Sequence, residues 1–211
     1  MLNQTTSLEY SHFPVMLEEV IKIFSLNNGG NYLDCTFGGG GYSKKLLTFP
    51  KTKVVAIDRD KFVLNLAKDL KTKYPNRFDF YQKKFSEVNT FLSDKKFDGA
   101  IFDLGLSSIQ LNNLKRGFSF KSKQSLDMSM GLTTLSAEEV INEYSPQKLL
   151  LIIKILGEEK EAARIVKNII KARSTHKITK VDQLVEIIEK SKKKNYTRKI
   201  NPSTKTFQAL R

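Results

Sequence analysis

A run of four glycines, Gly38 to Gly41, lies between two predicted strands and constrains this chain more than any other feature. The first strand ends at Asp34-Cys35, and the second, Lys53 to Ile57, is followed by Asp58. Glycines adopt backbone angles closed to other residues and let a ligand approach the main chain, and the amides of a helix that begins there face the bound group. Asp58 follows Gly38 by 20 positions, the separation at which dinucleotide-type folds place an acid on ribose hydroxyls. The pattern favours a nucleoside site over a glycine turn beside a solvated aspartate.

Short apolar strands alternate with helices through the first half of the chain. Strands are predicted at 31–35, 53–57, 78–81 and 97–102. This alternation indicates an α/β fold with a parallel sheet joined by right-handed crossovers. Because ligands in such sheets bind beyond the carboxyl ends of the strands, four features should meet at one edge: Gly38 to Gly41, Asp58, Phe85 and Asp103.

The predicted helices follow from apolar spacing. In the first helix, Met16, Val20, Ile23 and Phe24 recur at helical intervals and predict one buried face. Asp60 can cap a later helix, and Ser136 to Glu139 has the form of a capping box. Residues 109–200 therefore read as a mostly helical second domain after a first domain at 1–108.

Positive charge is concentrated in the last third of the chain. Residues 150–211 carry 16 Lys and Arg against 6 Asp and Glu, a net charge of +10, whereas residues 1–149 carry +4. A basic run, Lys190 to Lys199, contains one aromatic residue, Tyr196. This distribution suggests a polyanionic partner, most simply nucleic acid. The alternative is a solubilising surface in a lysine-rich proteome.

Cysteine content and hydropathy bear on location. Cys35 is the single cysteine, so no intramolecular disulfide can form and a reducing compartment fits. No stretch approaches 18 apolar residues, and residues 1–11 lack the layout of a secretion signal. The sequence predicts a soluble cytoplasmic protein with no membrane segment, and no His or Cys cluster has metal-binding spacing.

Seven segments occur in a fixed order along the chain: Pro14 to Leu17, Asp34 to Gly41, Ile57 to Asp60, Asp103 to Gln110, Arg116 to Phe120, Gly157 to Glu159 and Thr206 to Arg211. Together they resemble the bacterial ribosomal RNA small-subunit methyltransferase H family, also called the MraW family. That family uses S-adenosylmethionine to methylate N4 of a cytidine in the decoding region of 16S rRNA. The similarity runs from about His12 to Arg211, and the ordered set is specific although each motif alone is weak.

The resemblance implies a Rossmann-like class I methyltransferase domain with an inserted helical domain for substrate recognition. It also implies a set of residues that bind S-adenosylmethionine. Gly40, Gly41 and Tyr42 would lie at the glycine turn, Asp58 on the ribose and Phe85 beside the adenine, with Asp103 and Gln110 completing the pocket.

Three positions depart from the family pattern. Histidine is usual at Tyr42, arginine at Ser129, and histidine at Asn201. Family members also continue past Arg211, so residues 201–211 would begin a helix that returns to the first domain, and the chain resembles a truncated form. A half-sheet with a free edge and an uncovered apolar face favours low stability or self-association, such as a homodimer.

Methyl transfer to cytosine N4 needs no metal, but the amine is a poor nucleophile because its lone pair is delocalised into the ring. A hydrogen-bond acceptor for the amine protons would localise the lone pair and take up charge. Asp103, at the tip of strand four, is the candidate for this role; the alternative is that it only holds the cofactor or caps the loop. RNA contacts are expected from Arg116, Phe118, Phe120 and the basic helices, with burial of the two phenylalanines as the alternative.

Two other functions fit parts of the pattern. A glycine turn followed by an acid also describes a nicotinamide-dependent oxidoreductase, although the third glycine of its fingerprint would fall at Ser43. A non-catalytic RNA-binding protein would retain the pocket and the basic domain without turnover. Comparing the binding of S-adenosylmethionine with that of NAD distinguishes the methyltransferase from the oxidoreductase. A methyl-transfer assay distinguishes it from the non-catalytic RNA-binding protein.

Overall fold

The computed structural model describes residues 14–24, 26–132, 135–193 and 200–211. Four parallel strands form its sheet in the order β3-β2-β1-β4, as the alternating pattern predicts. The central strand β1 aligns Tyr32 with Val54 of β2 and with Gly99 of β4. This order is that of the first strands of a doubly wound, Rossmann-like fold. The strands are β1 (Gly30–Asp34), β2 (Thr52–Asp58), β3 (Phe78–Gln82) and β4 (Gly99–Ile101).

Helices connect the strands and make up most of the second half of the chain. Asp60 caps a short 3-10 turn before α3, since its carboxylate accepts a hydrogen bond from the Phe62 amide at 3.1 Å, and Ser136 caps α6 in a capping box with Glu139. A π-helix, Ile152–Leu156, follows α7 directly. The helices are α1 (Leu17–Ile23), α2 (Gly41–Leu47), α3 (Leu64–Lys73), α4 (Val88–Phe91), α5 (Ser108–Asn112), α6 (Ala137–Glu143), α7 (Pro146–Leu151), α8 (Ala162–Arg173), α9 (Val181–Ser191) and α10 (Thr204–Leu210).

Both faces of the sheet are covered. On one face, Tyr32, Val54 and Phe78 pack with buried residues of α1, α2 and α3. On the other, Leu33, Val55 and Ile57 are buried with Leu92, which follows α4. The expectation of an uncovered apolar face is therefore wrong for the described residues, because the crossover from β3 to β4 lies over that face.

The predicted buried face of α1 is partly wrong. Met16 is 62% exposed and Ile23 is 76% exposed, whereas Ile21 is buried and Val20 packs against the core. Met16 has a positive φ of 54° and precedes the helix, which begins at Leu17. The helix therefore buries a different face, with Ile21 and Val20, from the one that the apolar spacing predicts.

The second half of the chain has its own core, built mainly by α8 and α9. Ile165, Ile169, Leu184 and Ile188 are fully buried there. A buried ion pair joins Lys192, after α9, to Glu159, before α8; their side chains are 7% and 4% exposed. This pair closes the α8–α9 arrangement at one end.

The described chain divides into two compact units. The first contains residues up to 109 together with 130–132, and the second contains 110–129 together with the residues from 135 onward. Residues 201–211 group with the second unit, where α10 packs against the π-helix. Across the ranges described, no helix has the length and hydropathy needed to cross a membrane.

Candidate functional site

The candidate site lies at the carboxyl edge of the sheet in the first unit. Because all four strands are parallel, the turns that follow β1, β2 and β4 lie along this edge, which we call the rim. Two of these turns approach each other closely: the position of a Cβ on Gly38 would lie 3.6 Å from Cβ of Ser107, so the turn after β1 meets the loop after β4. Ligands bind at this edge in open α/β sheets, between strands at which the chain changes direction.

Asp58 ties two turns of the rim together. Its Oδ2 accepts a hydrogen bond from the amide of Gly38 at 2.8 Å, and its Oδ1 accepts one from the amide of Asp60 at 2.8 Å. Burial raises the pKa of this carboxyl, and the two amides oppose that rise. Each carboxylate oxygen has a further lone pair, so Asp58 can also accept hydrogen bonds from a ligand's hydroxyl groups.

Asp34, at the end of β1, is a rim residue that the sequence analysis did not single out. It is completely buried, and its carboxylate accepts hydrogen bonds from Ser43 Oγ at 2.7 Å and from the Thr36 amide at 3.2 Å. Burial raises its pKa to about 6, and the nearby Asp58 carboxylate adds to the rise. Asp34 thus links the turn, at Thr36, to the first residues of α2, at Ser43.

Different structural reasons favour glycine at three of the four positions of the turn. Gly38 and Gly40 have positive φ values of 50° and 75°, which favour glycine. A Cβ on Gly41 would lie 2.2 Å from Cγ of Pro14, so packing within the chain excludes a side chain there. Gly39 differs from these three, because a Cβ at this position would have no atom within 4 Å. Space is therefore open beside the Gly39 Cα, while its carbonyl accepts a hydrogen bond from Lys44 Nζ at 3.1 Å.

Tyr42 and Asp103 both adjoin this turn. The Tyr42 hydroxyl donates a hydrogen bond to the Val15 carbonyl, and the side chain is buried. Burial raises the pKa of Tyr42, and the Asp103 carboxylate adds to the rise. The Asp103 amide donates to Thr36 Oγ1 at 2.8 Å, which ties the loop after β4 to the turn after β1, while the residue itself is exposed. Asp103 therefore presents an exposed carboxyl group at the rim.

An aromatic pair stands at the rim. Phe85, in the 3-10 turn Phe85–Glu87, and Phe102, after β4, have ring centroids 5.6 Å apart and planes at 90°. The two residues are 41% and 51% exposed. Although β3 and β4 are the outer strands, the crossover brings Phe85 back across the sheet to Phe102. The sequence pattern does not predict Phe102 as a site residue, because its contact with Phe85 depends on the crossover and not on local sequence.

The remaining predicted residues belong to the second unit. Gln110 is buried, in α5. Phe118 is fully buried and Arg116 is 5% exposed, with its guanidinium over the Phe118 ring and donating to the Ser129 carbonyl. The expectation that Arg116 contacts RNA is therefore wrong, and for Phe118 the alternative of burial is the one observed, because both residues lie in the core. Phe120 is half-buried and packs edge-to-face on Phe207, at 6.1 Å.

Part of the predicted basic run, including Lys194, Tyr196, Arg198 and Lys199, lies outside the described residues. Within the part of the chain that the structure describes, no group of three or more His, Cys, Asp or Glu could hold a metal ion. The rim therefore offers open main chain, carboxylates and aromatic rings as its binding groups.

Comparison with known proteins identifies relatives along nearly the whole chain. It is 44% identical over 206 residues to a protein of Rickettsia canadensis named ribosomal RNA small subunit methyltransferase H, and the match covers 97% of this chain and 66% of that protein. Proteins of the same name from Rickettsia massiliae and Rickettsia akari are each 44% identical over 203 residues, covering 95% of this chain and 65% of theirs. The chain spans about 65% of the length of these curated relatives.

A family assignment follows from the extent of the match. Residues 9–211 match the MraW methylase family, and this range contains all the described residues of the rim. The chain belongs to the MraW methylase family.

Proposed function

We propose that this chain binds S-adenosylmethionine at the rim and transfers its methyl group to N4 of a cytidine in 16S ribosomal RNA. One observation carries the proposal: a carboxylate, Asp58, is hydrogen-bonded to a glycine turn that faces open space at Gly39. Membership of the MraW methylase family and the names of the relatives support the reaction class. The cytidine, its N4 atom and the decoding region rest on the family resemblance.

The residues of the rim fit this donor. Gly39 leaves room for a ligand against the main chain, and Asp58 retains lone pairs for ribose hydroxyls. The half-exposed Phe85 offers a ring for the adenine. For Tyr42 we propose a main-chain contact, because its hydroxyl is already bonded to Val15. For Gly40 and Gly41 the family resemblance is the support. For Gln110 the family resemblance is the support.

The donor supplies an electrophilic methyl group on a sulfonium. The chain's contribution is to hold the acceptor amine in line at roughly 3 Å, since positioning accounts for much of the acceleration in such reactions. Asp103 is exposed on the loop that its amide anchors to Thr36. We assign its carboxylate to accept a hydrogen bond from the N4 amine, which localises the lone pair, and then to take the proton released on transfer.

The distribution of charge between the two units supports RNA as the partner. The second unit carries 21 Lys and Arg against 10 Asp and Glu, a net charge of +11, whereas the first carries +3. A polyanion is attracted to such a surface. Recognition of 16S rRNA within the small ribosomal subunit, a cytoplasmic location and a homodimer complete the proposal.

The decisive experiment separates catalysis from cofactor binding. Asp103→Asn is compared with Asp69→Asn, an exposed aspartate on α3, by single-turnover transfer of tritiated methyl groups to undermethylated small subunits. Loss of general-base assistance predicts a rate about 100-fold lower for Asp103→Asn, with the affinity for S-adenosylmethionine within about twofold of the wild type. A parallel loss of affinity would assign Asp103 to cofactor binding alone, and an unchanged rate would remove it from the mechanism.

A further inference from the structure

The second unit contains a groove between α7 and α8 that plays no part in the site described above. Its volume is about 420 Å3, and its walls are mostly apolar. Pro146 and Leu150 line it from α7, and Ala163, Val166 and Ile170 line it from α8. Two polar side chains also reach it, Gln147 and Lys167.

The groove is held open by specific contacts. Ser145 caps α7 by accepting a hydrogen bond from the Lys148 amide, with Pro146 in the first turn. Arg173, in the last turn of α8, donates to the carbonyls of Ile141 and Tyr144, both at 2.7 Å. The start of α7 is thereby fixed against the end of α8, so the groove is a built feature of the fold.

Along the groove, α8 carries a row of cations without any acid in the helix. Its sequence, Ala162–Arg173, contains two lysines, two arginines and neither Asp nor Glu. Arg164, Lys167 and Lys171 are exposed at i, i+3 and i+7, so they share one side of the helix over about 10 Å. Among the described residues, Lys167 and Lys171 have no acidic partner, although Arg164 lies 3.8 Å from Glu161.

Three other lysines of the same unit do have acidic partners. Lys190 pairs with Glu186, Lys192 with Glu159, and Lys177 with Glu138. Like charges three and four residues apart destabilise a helix by a few tenths of a kcal/mol, and the helix C-terminus offsets part of that cost at Lys171. A row of cations beside an apolar groove fits a ligand that is anionic along its length and has flat apolar faces.

We propose that the α7–α8 groove is a docking surface for single-stranded RNA, separate from the rim. Lys167 and Lys171 contact the phosphates, the apolar walls contact the faces of the bases, and the Gln147 amide hydrogen-bonds to base edges. RNA strands are bound in this way by cationic grooves with apolar platforms. The inference rests on the proposed function for the identity of its ligand, but not on binding at the rim.

The test measures binding of a fluorescein-labelled single-stranded RNA oligomer to the whole chain by anisotropy, without S-adenosylmethionine. The variant Lys167→Glu with Lys171→Glu is compared with Lys68→Glu with Lys96→Glu, which makes the same charge change at exposed positions of the first unit. The groove variant should bind at least about tenfold more weakly at low salt, and the slope of log affinity against log salt should be about 1.4 smaller for two lost phosphate contacts. The control should change little.

A variant with Lys167→Gln and Lys171→Gln guards against a folding effect of glutamates near the end of α8, and circular dichroism checks the helix content of each variant. Ala163→Phe fills the groove without changing charge and should weaken RNA binding several-fold while the salt slope stays the same. Equal losses in the groove and control variants would overturn the proposal. So would unchanged RNA affinity, the result expected if the groove accepts an acidic protein helix instead. Binding of S-adenosylmethionine, measured separately, reports on the proposed function.

Discussion

The amide of Gly38 donates a hydrogen bond to Asp58 Oδ2 at 2.8 Å, across 20 positions of sequence. The acid at the end of β2 therefore fixes the glycine turn after β1 directly, through one of its two carboxylate oxygens. The other oxygen holds the Asp60 amide at 2.8 Å. The turn and the acid therefore form one structural element.

Replacing single glycines of the turn should separate binding from stability. Gly39→Ala places a methyl group in open space, so we expect an unchanged melting temperature and an affinity for S-adenosylmethionine at least about tenfold lower. Gly41→Ala forces a methyl group to within 2.2 Å of Pro14 Cγ and should cost about 1–3 kcal/mol of stability. Thermal melts and calorimetry on both variants check this, and equal melting temperatures would contradict it.

Asp34 should give the protein a specific pH dependence. Its pKa is raised to about 6 by burial, so the folded chain holds the proton more tightly than the unfolded chain does. The free energy of unfolding should therefore fall as the pH rises from about 4 to about 6, by up to about 3 kcal/mol from this residue. Urea denaturation from about pH 4.5 to about pH 7.5 should show a weaker fall for Asp34→Asn than for the wild type.

Ser43→Ala tests the pKa of Asp34 by removing a side chain that donates a hydrogen bond to its carboxylate. Removing the Ser43 hydroxyl takes one hydrogen bond from the charged carboxylate, so the pKa of Asp34 should rise further. The variant should lose more stability at about pH 8 than at about pH 5, where the carboxyl is protonated. Equal losses at the two pH values would show that Ser43 does not stabilise the charged form.

Phe102 should act on ligand binding through Phe85. Its ring lies edge-to-face with Phe85 at 5.6 Å, and such pairs contribute about 0.5–1.5 kcal/mol beyond their buried area. We expect Phe102→Ala to lower the affinity for S-adenosylmethionine roughly two- to tenfold, by releasing the Phe85 ring. Ile23→Ala, at an exposed residue of α1, is the control. A control loss as large as that of Phe102→Ala would point to a general effect on stability.

The buried ion pair of the second unit should be worth far more than an exposed one. Glu159→Gln leaves the Lys192 ammonium buried without its carboxylate, and breaking a buried pair in this way costs about 3–5 kcal/mol. Glu186→Gln breaks the exposed Lys190 pair of α9 and should change stability only marginally. Urea denaturation of both variants gives the comparison. Similar free energies of unfolding would show that the Lys192 charge is solvated.

The strands and the rim were predictable because their signals are local. Each strand is a short apolar run or, in β3, a short alternating aromatic one, and parallel order places Asp58 and Asp103 at one edge whatever the side chains between them. The order β3-β2-β1-β4 confirms that reasoning for the described strands. The roles of the predicted site residues in binding and catalysis stay predictions.

Other features depend on packing between distant segments and could not be read locally. Phe118 looks like a residue for stacking on RNA, but its carbonyl accepts hydrogen bonds from Arg211, 93 positions away, and the ring is buried. Asp34 looks like the last residue of a strand until α2 brings Ser43 back onto it. The α7–α8 groove forms only when the two helices pack together, so no local sequence pattern predicts it.

Isothermal titration of the 211-residue chain with S-adenosylmethionine, NAD and, for the Asp58→Asn variant, S-adenosylmethionine again tests whether the rim binds the methyl donor. We predict that one equivalent of S-adenosylmethionine binds and that NAD does not. Asp58→Asn should bind S-adenosylmethionine at least about tenfold more weakly, because an amide cannot accept from two main-chain donors and a ribose together. Binding of NAD alone, or equal binding of S-adenosylmethionine by the wild type and the variant, would contradict it.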